Sequence, residues 1–261
     1  MGEPELTHLL VGEGAAARSI AVLPRAGREP GIFWLGGFRS DMAGSKAAAL
    51  DRWAEGSGHA AARFDYSGHG RSGGRLEEGT ISRWLEEAQA VLDAFTRGPQ
   101  VLVGSSMGGW IALLLAKSLA ERGEAGRLAG MVLIAPAFDM TRDLMWEQFT
   151  PAERRRLKKN GFLAFPSAYS DEPDIITQAL LDDGARHLLG DHPIETHCPV
   201  HVIQGMQDED VPWSHATRLM ERLPFDDAVL TLVRDGDHRL SRPEDIERLI
   251  QAVGRCLRLE A

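Results

Sequence analysis

The chain has 261 residues, a formal net charge of −9 and two cysteines. With 43% apolar and 26% charged residues it has the composition of a folded protein, which excludes wholesale disorder; its length suits one large α/β domain or two small ones. The acidic balance argues against a nucleic-acid partner, which needs a basic footprint, and two cysteines outside any CxxC or metal-ligand spacing exclude a disulfide framework.

In chain order, the N-terminus comes first. Met1-Gly2-Glu3-Pro4-Glu5-Leu6 is acidic and lacks the basic and apolar regions of a signal peptide, and Leu6 stands where myristoylation wants Ser or Thr. The longest unbroken apolar run, Trp110 to Ala116, is far short of the ~20 residues of a membrane span. No membrane span and a cytoplasmic setting are therefore expected, with Cys198 and Cys256 as structural thiols.

Short β-rich runs then alternate with helical patterns. Strands are predicted over 18–23, 31–35, 60–64, 100–103, 130–134, 199–203 and 228–233, and the middle ones are apolar throughout and bounded by Gly or Pro. Helices are predicted over 45–55, 80–96, 107–122, 214–223 and 243–259, the last opening with Pro243 at its first position and acids in its first turn. This alternation implies a doubly wound, mostly parallel sheet in an α/β fold.

The stretch from 138 to 197 breaks that rhythm. It shows helical pieces and no convincing strand, so it is expected to be a helical cap inserted into a single domain spanning 1–261. Thr150-Pro151-Ala152-Glu153 forms a capping box and Gly161 closes that helix. Six of the seventeen aromatic residues (Phe138, Trp146, Phe149, Phe162, Phe165, Tyr169) fall within 138–169, about three times an even share. Two readings stand side by side: an apolar underside that would offer Trp146, Phe149 and Phe162 to substrate, or the cap's own core. Arg154, Arg155, Arg156, Lys158 and Lys159 form the one basic run, read as a solvated helix face first and a dock for an anionic group second.

The chemistry centres on Val101-Leu102-Val103-Gly104-Ser105-Ser106-Met107-Gly108-Gly109-Trp110, where an apolar strand runs through Gly-x-Ser-x-Gly into an apolar helix. A nucleophile on such a sharp turn needs small residues two before and two after it, so that neighbouring segments can approach. Ser106 is the candidate nucleophile. A serine hydroxyl needs a base and the base an orienting acid, in the chain order Ser, acid, His. His8, His59 and His69 precede Ser106; His187, His192 and His197 lie in or beside the cap; His201 sits inside a strand and His215 beside Trp213. His238, in the polar loop Arg234-Asp235-Gly236-Asp237-His238-Arg239 after the last strand, is the candidate base. Asp208, the first acid after Gly205, is the candidate acid, with Asp210 as its rival. The oxyanion donors are expected to be the backbone N–H groups of Met107 and of Phe38, in the loop Gly36-Gly37-Phe38-Arg39. In Phe64-Asp65-Tyr66-Ser67-Gly68-His69-Gly70 the Asp and glycines are read as loop-shaping, and His69 as a lesser candidate for touching substrate.

Together these segments resemble the α/β-hydrolase superfamily, and within it the mitochondrial α/β-hydrolase-domain acyl-protein thioesterases, also described as acyl-glucuronide esterases, with their bacterial relatives. The resemblance spans nearly the whole chain. It rests on Arg63 to Gly68, Gly98 to Trp110, Gly205-Met206-Gln207-Asp208 through Val211-Pro212-Trp213, and Asp237-His238-Arg239. It implies Ser106, Asp208 and His238 as a triad acting on acyl thioesters and activated esters, either small molecules or acyl groups linked to protein, with no cofactor and no metal. The chain departs from that family at Gly36, where Pro is common, and in having no transit-peptide pattern, which favours a bacterial cytoplasmic relative. A carbon–carbon-bond hydrolase keeps the same triad, and a hydrolase-like binding protein would use the pocket without turnover; a dehalogenase would need Asp in place of Ser106.

Overall fold

The computed structural model describes residues 2–166 and 173–257. In chain order the elements are β1 (Thr7–Val11), β2 (Arg18–Arg25), β3 (Arg28–Leu35), α1 (Ser45–Ser57), β4 (His59–Phe64), α2 (Ile81–Phe95), β5 (Gln100–Ser105), α3 (Met107–Glu121) and β6 (Leu128–Ile134). The inserted segment carries α4 (Pro151–Asn160), β7 (Phe162–Phe165), β8 (Asp174–Thr177) and α5 (Gln178–Gly184). The chain then completes β9 (Val200–Gly205), α6 (Trp213–Glu221), β10 (Ala228–Val233) and α7 (Pro243–Cys256).

Eight strands form one sheet in the order β1-β2-β4-β3-β5-β6-β9-β10. β1 and β2 are antiparallel additions at one edge, and every pairing from β4 to β10 is parallel. Side-chain alternation splits the core in two. Phe33, Leu35, Leu102, Met131, Leu133 and Val202 face a cluster under α2, α3 and α6, whereas Ile32, Trp34, Val101, Val103, Val132 and Ile203 face α1 and α7. Both faces being covered, β5 and β6 are buried along their whole length. The strand order reverses direction between β3 and β5, and loops at the carboxyl ends there open the crevice where doubly wound sheets hold ligands.

Most predicted strands lengthen by one to three residues, whereas the predicted helices other than α1 shorten, and residues 258 and 259 of the last predicted helix lie outside the described residues. Two expectations are corrected. β1 was not expected; it pairs with β2 from Thr7↔Val22 to Val11↔Arg18, and its half-exposed edge position leaves a weak apolar signal. The inserted segment was expected to lack strands, yet β7 and β8 pair antiparallel, Phe162↔Thr177 to Phe165↔Asp174. Four-residue strands in an isolated two-stranded ribbon are too short to show a period. α4 has the expected capping box at Thr150 and closes at Gly161, whose φ is +80°.

Hydrogen bonds tie the insertion to the sheet-bearing body. Within the insertion, Asp139, fully buried with φ +53°, accepts the N–H groups of Leu189 (2.7 Å) and Gly190 (3.1 Å) and so closes its two ends on each other, while Arg222 of the body lies 4.0 Å from the same carboxylate. Asp183 on α5 accepts from the backbone N–H and the hydroxyl of Ser82 on α2, at 2.7 and 2.8 Å. Asp143 pairs with both Arg142 and Arg218 of α6, which hold its carboxyl below the usual range against the opposing effect of burial.

Candidate active site

Ser106 stands between β5 and α3 with φ 54° and ψ −118°, a left-handed conformation that costs a non-glycine residue energy. Three contacts hold it there. Its N–H donates to Ile134 O at 2.8 Å, and its carbonyl accepts from Gly109 N (2.9 Å) and Ala137 N (3.1 Å). The flanking glycines are required by space: a Cβ on Gly104 would lie 2.4 Å from Gly108 O, and one on Gly108 only 2.1 Å from Leu35 O. The α3 N-terminus therefore packs directly under the end of β3, which brings the loop after β3 to Ser106.

His238 lies in the loop between β10 and α7, as its position after the last strand predicts. Its Nε2 is 3.1 Å from Ser106 Oγ and its Nδ1 is 2.8 Å from Asp208 Oδ2. An ionised carboxylate only accepts, so Nδ1 carries the proton and Nε2 is left to accept from the serine hydroxyl. The Asp208 carboxylate is fully buried. Its Oδ1 accepts from Asp210 N at 3.0 Å and Val211 N at 2.8 Å, and its Oδ2 also accepts from Gln204 Nε2 at 3.0 Å. Asp208 rather than Asp210 therefore reaches the imidazole. Asp208, Asp210 and His238 have potential ligand atoms within 4.8 Å of one another, but the hydrogen bonds just described already use both oxygens of Asp208 and Nδ1 of His238.

Met107 follows Ser106 in the chain, and Phe38 lines the same cavity as Ser106. Met107 opens α3, so its N–H has no intrahelical partner. The Phe38 N–H meets no acceptor among the described residues. Gly37 lets this loop close in, since its Cβ would sit 3.3 Å from both Ser105 O and Ser106 Cβ. The loop is braced from β4: Asp65 accepts from Met42 N (2.6 Å) and Arg71 N (2.7 Å), and His69 Nε2 accepts from Arg39 N at 3.0 Å. Accepting there requires a neutral ring, and burial pushes the His69 pKa down to about 4. His69 is thus a buried brace, with Phe38 and Trp84 packed on its ring, rather than a substrate contact.

A cavity of about 410 Å³ opens at Ser106 between these loops and the start of α1, lined among others by Trp34, Phe38, Ser40, Lys46, His238 and Ser241. Burial lowers the Lys46 pKa to about 8, and its ammonium donates to Arg239 O, tying α1 to the loop that carries His238. Trp146, Phe149 and Phe162 do not line this cavity. Phe149 is buried in a separate cluster with Leu157, Leu163, Ile176 and Leu181 and stacks on Phe165 at 5.6 Å. Trp146 lies under Arg154, 4.6 Å from its ring centre, beside a different groove of about 270 Å³. Phe162 is 47% exposed on β7. The expected apolar underside is therefore, for Phe149 and Phe165, the insertion's own core; Tyr169 lies outside the described residues. The rest of the basic run, Arg155, Arg156, Lys158 and Lys159, is exposed on α4.

Residues 41–178 match the Hydrolase_4 family, described as serine aminopeptidase, S33. The human mitochondrial palmitoyl-protein thioesterase ABHD10 is 33% identical over 228 residues, covering 87% of this chain and 72% of that protein. The chain belongs to the α/β-hydrolase superfamily. This α/β-hydrolase is similar to the crystal structure of a hydrolase from Agrobacterium vitis S4, with a TM-score of 0.94 and 53% identity over 97% of this chain and 98% of that one. It is also similar to mouse α/β-hydrolase domain-containing protein 10, with a TM-score of 0.86 and 30% identity over 98% and 100% of the two chains. No helix among its described residues is long and apolar enough to cross a membrane.

Gln204 and Lys46 are contacts that the sequence reading missed. A polar Gln within the apolar strand His201-Val202-Ile203-Gln204 was the available signal for the first. For Lys46, on the polar side of an amphipathic helix, no signal existed.

Proposed function

We propose that this hydrolase cleaves carboxylic esters or thioesters through an acyl-enzyme formed on Ser106. The observation that carries the reading is the continuous line from Ser106 Oγ to His238 Nε2 (3.1 Å) and from His238 Nδ1 to Asp208 Oδ2 (2.8 Å). In the first step Ser106 Oγ attacks the acyl carbon while its proton passes to His238 Nε2. Asp208 keeps the imidazole in the right tautomer and stabilises the imidazolium. The carbonyl oxygen, now an oxyanion, meets the Phe38 and Met107 N–H groups, and His238 returns the proton to the departing alcohol or thiol. Water then repeats the sequence on the acyl-enzyme, with His238 again as base.

The kinship with palmitoyl-protein thioesterases supports acyl thioesters, free or protein-linked, as the substrate class. Replacing Ser106 by Ala tests the reading: hydrolysis of p-nitrophenyl esters and of acyl thioesters should fall by at least about 10³-fold, and fluorophosphonate labelling should vanish. Unchanged turnover in that variant would overturn it.

A further inference from the structure

Gln204 sits one residue from the end of β9 and is completely buried. Its Nε2 lies 3.0 Å from Asp208 Oδ2, 2.9 Å from Val211 O and 3.1 Å from Gly205 O. All three neighbours are acceptors, so the NH₂ end must face them, and two N–H bonds are shared among three oxygens. The amide's own Oε1 is then left in the interior with no donor among the described residues. A buried oxygen without a donor is destabilising, and an apolar side chain of similar size would avoid it. The amide nitrogen is therefore the part of this residue that the site uses.

Asp208 Oδ2, the oxygen Gln204 reaches, is the same oxygen that receives the His238 N–H. We propose that Gln204 is a positioning residue of the Ser106–His238–Asp208 relay: it holds the Asp208 carboxylate in register and draws charge from Oδ2, keeping His238 a weaker base. This inference rests on the triad reading above. A donor on Oδ2 stabilises the carboxylate and leaves it less able to stabilise an imidazolium beside it. His238 then stays neutral, and able to take the Ser106 proton, to lower pH. Among the described residues, the charged groups near the imidazole include Asp208 and Asp210 of the loop after β9 and, on the same cavity, Arg239 of its own loop and Lys46 of α1, with Asp237 and Asp245 facing Lys46. None of them changes in the Gln204 variants below. Gln204 does not line the cavity at Ser106, so its loss should spare substrate binding.

The test is the pH dependence of p-nitrophenyl acetate hydrolysis by the full chain across about pH 5 to 9, with Gln204→Leu, Gln204→Glu and Gln204→His beside the unmodified protein. Gln204→Leu should lower kcat by about tenfold with KM unchanged. The acidic limb of kcat/KM should move upward by about half to one pH unit. Gln204→His, whose ring N–H can donate, should return the limb toward its original place. Gln204→Glu, which sets a second carboxyl beside Asp208, should also raise the limb, and it decides the matter if the Leu variant does not fold. An unmoved limb in either variant, whatever happens to its urea midpoint, overturns the inference. Asp208→Asn serves as the separate control: if it leaves the rate unchanged, the triad reading fails instead.

Discussion

The strand-end loops around Ser106 and the segment inserted between β6 and β9 are built on different principles. In the first, backbone geometry leaves almost no choice of residue: Gly104 and Gly108 sit where a Cβ would lie within 2.4 Å of another main-chain atom. In the second, side chains pack on one another, as Phe149, Leu157, Leu163 and Ile176 do, and the segment is anchored through a few buried carboxylates such as Asp143 and Asp183. Backbone constraint writes itself into sequence as spacing, whereas packing leaves only composition. The Ser106 half is therefore intolerant of single atoms, and the insertion should be tolerant in its rate and sensitive in its stability.

Breaking the first region should have the largest effect. Gly108→Ala places a methyl 2.1 Å from Leu35 O, and the displaced elbow should cost about 10²-fold or more in kcat/KM for a p-nitrophenyl ester. A variant with normal kinetics would show that the close approach of α3 to β3 is dispensable. Phe149→Ala should do the reverse. It removes a buried ring from the insertion's own cluster, so the urea midpoint should report a loss of about 3 kcal/mol, while turnover of a short ester stays within about twofold. A selective rise in KM for long acyl chains would instead return Phe149 to the substrate site.

Acid should separate the regions by a different route. Burial lowers the pKa of both His69 and His215 from 6.5 to about 4. Between those values the unfolded chain binds protons that the folded chain does not, so stability is fully present above about pH 6.5 and falls as pH drops toward 4. His69→Gln should flatten that slope in urea titrations repeated at each pH; an unchanged slope would mean that His69 is not held neutral. The smallest effect belongs to Arg154, which lies over Trp146. Arg154→Ala should cost at most about 1 kcal/mol and leave the rate alone.

The same contrast explains what was legible beforehand. Ser106 could be read from Gly104 and Gly108, and His238 and Asp208 from their places after the last two parallel strands, because the fold admits few alternatives there. Phe38 could be placed from the Gly36-Gly37 pair for the same reason. β1 and the β7–β8 ribbon were not legible, since short edge strands carry no full apolar period. The destinations of Trp146, Phe149 and Phe162 were not legible either, because an aromatic cluster has the same composition whether it lines a cavity or fills a core. The contact of His69 with Arg39, 30 residues apart, depends on three-dimensional proximity that no local pattern encodes.

The most direct test of the account is to map the site of covalent modification. After reaction with a fluorophosphonate, digestion and mass spectrometry should find one adduct on Ser106 and none on the adjacent Ser105. The adduct should persist in Ser105→Ala and disappear in Ser106→Ala. An adduct on Ser105 or on any other residue, or full ester turnover by Ser106→Ala without an adduct, would contradict the account.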